Sequence, residues 1–328
     1  LVDTYSQYGI GVFYFLFTSL KLVNLGITYV GLSFITSFFQ VFSFLSLLVL
    51  CYLVFHKNLS LAILITATAI LAQVYLGLGI PAAFPSTGFF RFGLAYVLGA
   101  SFIIARKYLK GWVGQIYAAF VVGVAALWSF DTFTSTLYVF GAIQLLDFLE
   151  NKSLFRVVRA FVFLGISIAI GVGLFILFTF LRSGSMPNII PYLAFLKLYA
   201  DGFGLLPIPS FGVWWLFFIM YTVSAIWSCY ILLSDSKELG SARAVLLITA
   251  VGIGILPYYV GRSHPNNLFH VSLPLIFLIG FWIWKNRYIR IVGVILLSFF
   301  VAFIINLKAD SIKEKFAITI LGLPRGTV

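Results

Sequence analysis

Long apolar runs constrain this chain more than any other feature of its sequence. Stretches of about 18 or more predominantly apolar residues recur along it, which is the length a helix needs to cross the hydrocarbon core of a bilayer. Only helices and closed barrels satisfy every backbone polar group in lipid. The runs are continuous and lack the period-two alternation of barrel strands. The sequence therefore predicts an all-α fold, a polytopic transmembrane helical bundle.

Composition supports this class and excludes others. The chain is 62% apolar and only 9% charged, too few charges for a soluble protein of 328 residues. A net charge of +12 would suggest nucleic acid binding in a soluble protein, but here it indicates basic loops facing an anionic leaflet, so no nucleic acid partner is predicted. Cys51 and Cys229 both lie in apolar runs and read as packing residues, without a disulfide.

The apolar runs predict about ten spans. They are Gly26–Phe55, Leu59–Leu78, Phe89–Ala105, Gly111–Ser129, Thr132–Leu149, Val157–Leu181, Gly212–Leu233, Ala244–Val260, Leu268–Trp284 and Ile289–Leu307. Together residues 1–307 form the predicted transmembrane domain, and residues 308–328 are predicted to begin a C-terminal extramembrane segment.

Two segments of this domain are predicted to lie outside the spans. Residues 1–25 read as part of a first outer loop, in which Ile10–Val23 is apolar but short and would lie along the membrane surface. Residues 186–211 contain four prolines around an amphipathic piece and read as an outer loop with a surface or re-entrant helix.

The distribution of basic residues predicts the orientation. Alternate loops carry most of the lysines and arginines, and the positive-inside rule assigns those loops to the cytoplasm. The opposite, outer face then receives the segment Tyr258–His270, a run rich in Arg, His and Asn between two spans. One interpretation is that this segment is a solvated loop between two spans, without a function of its own. The other is that it forms a cationic, hydrogen-bonding site for an anionic group at the bilayer surface.

Several ionisable residues are predicted to share the outer face. Arg262, His264 and Arg91 are candidates to bind a phosphate, because the guanidinium fork matches phosphate oxygens. Asp3 is the candidate general base for a hydroxyl. Secondary candidates are Tyr8, Asp131, Arg182, Lys197, Asp201 and His270.

Each of these residues also has a structural interpretation. Asp131 would cap a helix that begins at Thr132, and Arg91 and Arg182 would extend to lipid headgroups. His270 would pack at an interface. Sequence motifs for ATP binding, zinc proteases and serine hydrolases are absent, and no metal ligands are assigned.

The segment Asp3-Thr-Tyr-Ser-Gln-Tyr-Gly-Ile-Gly resembles the Asp…Gln-Tyr-Gly-Pro-Gly segment in the first outer loop of GT-C type glycosyltransferases that use polyprenyl-phosphate sugars. Ile10 stands in place of the usual proline. In that family a first transmembrane helix precedes the loop, so the resemblance implies that this helix lies upstream of Leu1. It also implies surface helices on the outer face followed by a helical bundle.

The resemblance further implies a reaction, partners and a location. A sugar would pass from a polyprenyl phosphate to an unknown acceptor (glycan, lipid or protein) at the outer face of a bacterial or archaeal plasma membrane. Asp3 would act as the base and Arg262, with Arg91 or His264, would stabilise the leaving phosphate. The lipid tail would lie in a groove between spans. No cofactor is assigned, although a divalent metal remains open.

Three other functions fit the same pattern. A polymerase or ligase of envelope polysaccharides would also use outer Arg and His residues. A lipid or solute transporter would use the same basic groups but would need ionisable groups near the midplane and repeated, broken helices, whereas these spans are almost free of charge at mid-depth and show no internal repeat. A structural membrane subunit would use the polar segment to bind a partner protein.

Overall fold

The computed structural model describes residues 11–76, 88–188, 206–234, 238–261 and 263–307, with isolated positions 190, 191, 194 and 197. Within these ranges the chain is helical and has no β-strand. The helices are α1 (Gly11–Leu22), α2 (Tyr29–Val54), α3 (Leu59–Leu71), α4 (Phe89–Ile104), α5 (Gly111–Trp128), α6 (Phe130–Asn151), α7 (Leu154–Ser183), α8 (Trp214–Leu233), α9 (Leu239–Ile255), α10 (Pro257–Gly261), α11 (Pro265–His270), α12 (Leu273–Lys285) and α13 (Arg287–Leu307). A π-helical turn, Ala72–Leu76, continues α3.

In the described part of the chain, seven helical segments are long and apolar enough to cross a membrane: α2, α5, α6, α7, α8, the run from α9 through α10, and α13. The other three predicted spans coincide with α3, α4 and α12, which are apolar but shorter. The predicted class, a multi-pass helical membrane protein, is therefore confirmed for the described residues. The count of about ten spans stays a prediction.

Local signals explain where several helices begin and end. The side chain of Asn58 accepts a hydrogen bond from the backbone N–H of Leu61 and so caps α3. Ser129 caps α6 in the same way by accepting from the N–H of Thr132. α7 ends at Gly184, which adopts the left-handed conformation (φ +69°) that closes many helices.

Helix α9 lies at the centre of the bundle and packs against α4, α6, α8 and α12. Glycines let it approach its neighbours closely. A Cβ on Gly254 would lie 2.9 Å from the backbone of Ser135 on α6, and a Cβ on Gly252 would lie 2.4 Å from the ring of Tyr221 on α8. These two contacts explain why the sequence pairs glycines at this point of a span.

Helix α7 is longer than the helix beside it. Gly123 of α5 meets Ser167 of α7, and Gly171 meets Leu127 near the end of α5, so the two helices run in parallel. Residues 173–183 of α7 then continue about 16 Å past the end of α5, at 1.5 Å per residue. Among the described residues, Gly173 has no neighbour within 4 Å of its Cβ position, so it does not mediate close packing in the way that Gly171 does.

Helix α2 projects in the same direction. Its Phe39 packs against Phe89 and Phe90, with ring centroids 6.0 and 5.7 Å apart, at the start of α4. Residues 29–38 therefore extend about 15 Å beyond α4. Exposed apolar side chains cover both projections, for example Phe34 on α2 and Phe178 on α7. Such surfaces are stable in lipid, so the ends of α4 and α5 are recessed relative to α2 and α7.

Ion pairs identify two polar ends of the bundle. At one end, Arg106 after α4 and Arg243 in α9 both bind Glu150 of α6. At the opposite end of α4 and α6, Arg91 binds Asp131. We call these the Arg106 end and the Arg91 end of the bundle. The recess lies at the Arg91 end.

Replacing Gly254 with alanine tests the packing at the centre. The added methyl would press on the backbone of Ser135, and we expect a loss of about 1–3 kcal/mol in stability, the usual cost of overpacking. Gly240→Ala in the same helix is the matched control, because no atom of a described residue lies within 4 Å of its Cβ position. Thermal denaturation in detergent measures the melting temperatures of both variants. Equal melting temperatures for Gly254→Ala and Gly240→Ala would contradict the close contact between α9 and α6.

Candidate functional site

The ion pair between Arg91 and Asp131 is the polar centre of the Arg91 end. Arg91 lies in the first turn of α4 and donates from Nε to Asp131 Oδ2 at 2.9 Å, while its Nη2 bonds the same oxygen. Asp131 lies in the first turn of α6, where the helix dipole favours a negative charge. The side chain of Arg91 is 11% exposed and that of Asp131 is 30% exposed. The pair is therefore largely shielded from solvent.

Neighbouring side chains hold this pair in place. The guanidinium carbon of Arg91 lies 4.3 Å from the ring centroid of Tyr258 on α10, a cation–π contact. The hydroxyl of Thr132 donates to the carbonyl of Arg91. The indole N–H of Trp128 donates to the carbonyl of Phe90 at 2.6 Å. These contacts join α4, α5, α6 and α10 at one point.

His270 is the buried histidine of this end. It is 7% exposed, at the end of α11, and its carbonyl accepts a hydrogen bond from Gln73 on the π-helical turn. Burial, and then the positive charge of Arg91, lower the pKa of His270 below its ordinary value. The imidazole is therefore neutral at pH 7 and has one nitrogen that can accept a proton or a hydrogen bond.

An apolar groove of about 320 Å³ begins beside His270 and runs between α2, α4 and α12. Gln40, Gln73 and His270 lie at its Arg91 end, and all three are buried. Apolar residues line most of its length, including Leu47, Leu50, Phe92, Val97, Ile104 and Phe277. The groove thus has a polar end and an apolar body. This distribution of polarity is complementary to a lipid, which has a polar head and an apolar tail.

The position of the groove gives access from the membrane. Phe42 of α2 and Ile104 of α4 line it and are 53% and 50% exposed, so it opens between these helices toward lipid. Its polar end lies level with Phe90, about 15 Å below the tip of α2. A lipid could therefore enter sideways and bring its head to His270 without leaving the bilayer.

The structure brings together three of the residues predicted from the sequence. Arg91, Asp131 and His270 lie at the same end, and the charge of Arg91 acts on His270. This geometry changes two interpretations. Asp131 bonds Arg91 and does not cap α6, since Ser129 is the cap. Arg91 points into the bundle and does not extend to headgroups.

Other predicted residues are exposed or outside the described part of the chain. His264 and Lys197 are exposed. The residues Asp3, Tyr8, Asp201 and Arg262 lie outside the described residues, as does the side chain of Arg182. Gly11, the first described residue, lies against Trp128, and Ser263 donates to the carbonyl of Leu206 at 2.6 Å.

Sequence reasoning missed Gln40 and Gln73 as members of this end, and it placed Tyr258 there only as the first residue of the Tyr258–His270 segment, without a role of its own. The two glutamines stand alone within apolar runs, and an amide in a predicted span is a signal of function or of a buried hydrogen bond. Tyr258 carried no such signal, because aromatic residues are common at span ends.

The described residues contain no group of three or more His, Cys, Asp or Glu that could hold a metal ion. Comparison of the chain with protein-family models, curated proteins and solved structures finds no match. The geometry of the site is therefore the basis for a functional assignment.

The shifted His270 predicts a dependence of stability on pH. Its lowered pKa means that the unfolded state binds the proton more readily, so the contribution of His270 to stability is constant well above pH 6.5 and decreases as the pH drops below that value. In detergent, the melting temperature between pH 7.5 and 5 should fall more for the wild type than for His270→Gln. His56→Gln, a change to the exposed histidine near Trp284, is the control. If the melting temperatures of the wild type and of His270→Gln fall equally between pH 7.5 and 5, the lowered pKa of His270 is contradicted.

Proposed function

We propose that this protein is a membrane glycosyltransferase that takes a sugar from a polyprenyl phosphate. The observation that carries the proposal is the groove between α2, α4 and α12, whose apolar body ends at Gln40, Gln73 and His270. A polyprenyl phosphate also has an apolar part and a polar part, namely a long apolar chain and one anionic head. In this proposal the groove holds the lipid tail, which the sequence resemblance predicts to lie between spans.

The recess at the Arg91 end supports the same substrate. Lipid-exposed α2 and α7 rise past the ends of α4 and α5, so the polar end of the groove lies below the level of their tips. A prenyl chain longer than the groove can continue into the bilayer between α2 and α4. The reactive head would then meet the acceptor in the recess, on the face that we assign to the outside of a bacterial or archaeal plasma membrane.

The residues would share the chemistry as follows. The acceptor hydroxyl attacks the anomeric carbon of the sugar, and Asp3 takes the proton from that hydroxyl. The bond between the anomeric carbon and the phosphate oxygen breaks, and the polyprenyl phosphate leaves with the electron pair. Arg262, with His264, would stabilise the charge that grows on the leaving phosphate.

Arg91 takes a different part in this proposal from the one predicted. Its charge is matched by Asp131, so it contributes less as a free phosphate ligand. The ion pair would instead position Tyr258 and the start of α4 beside the groove. Neutral His270 would orient the lipid head by a hydrogen bond. The GT-C-like arrangement with about ten spans belongs to the same proposal.

Blocking the groove tests whether it binds the donor. Ala100 lines the apolar body away from the polar end, so Ala100→Phe should fill the groove and reduce transfer from a radiolabelled polyprenyl-phosphate sugar at least tenfold. Ala169→Phe makes the same change on the exposed face of α7 and should leave transfer unchanged. Both variants are compared in membranes at equal protein level. Full transfer by Ala100→Phe would exclude the groove as the donor site.

Substitutions of the predicted catalytic residues test the reaction itself. Asp3→Asn should retain binding of the donor lipid but stop turnover, because the amide cannot accept the proton. Arg262→Ala should lose transfer while the protein still inserts in the membrane. Sizing the radiolabelled product separates single transfer from the polymerase alternative, which would extend a chain. Unchanged turnover in both variants would remove these residues from the mechanism.

A further inference from the structure

A second cavity lies at the opposite end of the bundle and is not used by the proposed reaction. It has a volume of about 440 Å³ and lies between α4, α5, α6 and α9 at the Arg106 end. Its mouth is at Lys110 and Asn151, which are exposed, and it reaches inward to Gln144 and Leu247. Gln144 lies seven residues before Asn151 on α6, so the cavity extends about 10 Å into the bundle.

The cavity wall carries an excess of positive charge. Arg106, Lys110, Arg156 and Arg243 line it, against two carboxylates, Asp147 and Glu150. Arg106 Nη2 donates to Glu150 Oε1 at 2.7 Å and Arg243 Nε donates to the same oxygen at 2.6 Å. The carboxylate of Glu150 therefore accepts hydrogen bonds from two arginines. Each guanidinium has other N–H groups, besides those in these bonds, that can donate to a ligand.

The two arginines repel one another despite the shared carboxylate. Burial, which outweighs the opposing effect of Glu150, lowers the pKa of Arg106, and the charge of Arg243 adds to this. A second negative charge in the cavity would relieve the repulsion. Phosphate suits this position, since the guanidinium fork matches its oxygens.

Gln144 gives an independent sign that a ligand belongs here. It is 3% exposed, it lines the cavity, and neither its amide nitrogen nor its amide oxygen has a hydrogen-bond partner among the described residues. An unpaired buried amide destabilises the folded state, because it has lost its hydrogen bonds to water and gained none in return. By contrast, Gln115 in the same wall donates to the carbonyl of Arg156 at 3.0 Å and accepts from Arg159 at 2.9 Å. A ligand with a hydroxyl group would satisfy Gln144.

We propose that this cavity binds a phosphate ester that carries hydroxyl groups. The phosphate lies between Arg106, Arg243 and Lys110, and a hydroxyl reaches Gln144 at the base. Asp147, whose carboxylate accepts from Asn151 at 2.7 Å, lines the cavity beside them as a second acceptor for hydroxyl groups. Such a ligand is either a free sugar phosphate or the headgroup of a hydroxylated phospholipid in the leaflet at this end.

Thermal denaturation of the full chain in phosphatidylcholine nanodiscs tests the site. Glucose 1-phosphate is the free probe, with glucose and inorganic phosphate as partial probes, and nanodiscs that contain phosphatidylglycerol supply the headgroup. We expect glucose 1-phosphate or phosphatidylglycerol to raise the melting temperature, and the partial probes to do so less. If glucose 1-phosphate raises the melting temperature, the ligand is a free sugar phosphate. If phosphatidylglycerol raises it, the ligand is a lipid headgroup.

Two variants and a control make the result specific. Gln144→Leu should melt higher than the wild type without probe, because it removes an unpaired amide, and should weaken binding of the effective probe at least tenfold. Arg243→Gln should weaken binding by a similar factor. Lys285→Gln removes a charge at the same end but outside the cavity, where Lys285 pairs with Glu238, and should bind as the wild type does. The proposal is overturned if neither probe raises the melting temperature, or if both cavity variants bind as tightly as Lys285→Gln.

Discussion

The low dielectric of the bilayer forces polar side chains to find partners within the protein, and the Arg91–Asp131 pair shows the consequence. An arginine in α4 and an aspartate in α6 satisfy one another, and Tyr258 of α10 covers the guanidinium. Breaking the pair by removing one member would leave a shielded charge without its partner. The ends of three helices are therefore held at one point, and the groove opens next to it.

Helix length adds a second constraint on the site. Residues 29–38 of α2 and 173–183 of α7 continue past the ends of their neighbours, and most of their described exposed side chains are apolar. The bilayer must cover these surfaces, so the polar end of the groove lies below the level that the longest helices reach. In the proposed reaction, a substrate with a lipid tail would reach this site by lateral diffusion, and the acceptor would enter the recess from the aqueous side.

The two cavities differ in the chemistry of their walls. The groove at the Arg91 end is apolar along most of its length and has neutral polar groups, two amides and a neutral imidazole, at its head. The cavity at the Arg106 end is lined by charged groups with a positive excess. This contrast favours a lipid substrate in the first and a hydrophilic phosphate ester in the second, so that the two ends of the protein would bind different molecules.

The helical membrane class and most helix positions could be predicted from the sequence, because the need to bury backbone polar groups in lipid is expressed in the length and polarity of each run. The approximate positions of the charged ends followed for the same reason. Partner choice was not predictable. The pairing of Arg91 with Asp131, forty residues apart, arises from the packing of α4 against α6. The meeting of Gln40, Gln73 and His270 arises from the packing of α2 against α3 and of α11 against the π-helical turn. Local sequence carries no information on which helix faces which, since that is set by side-chain packing between distant segments, such as Gly254 against Ser135.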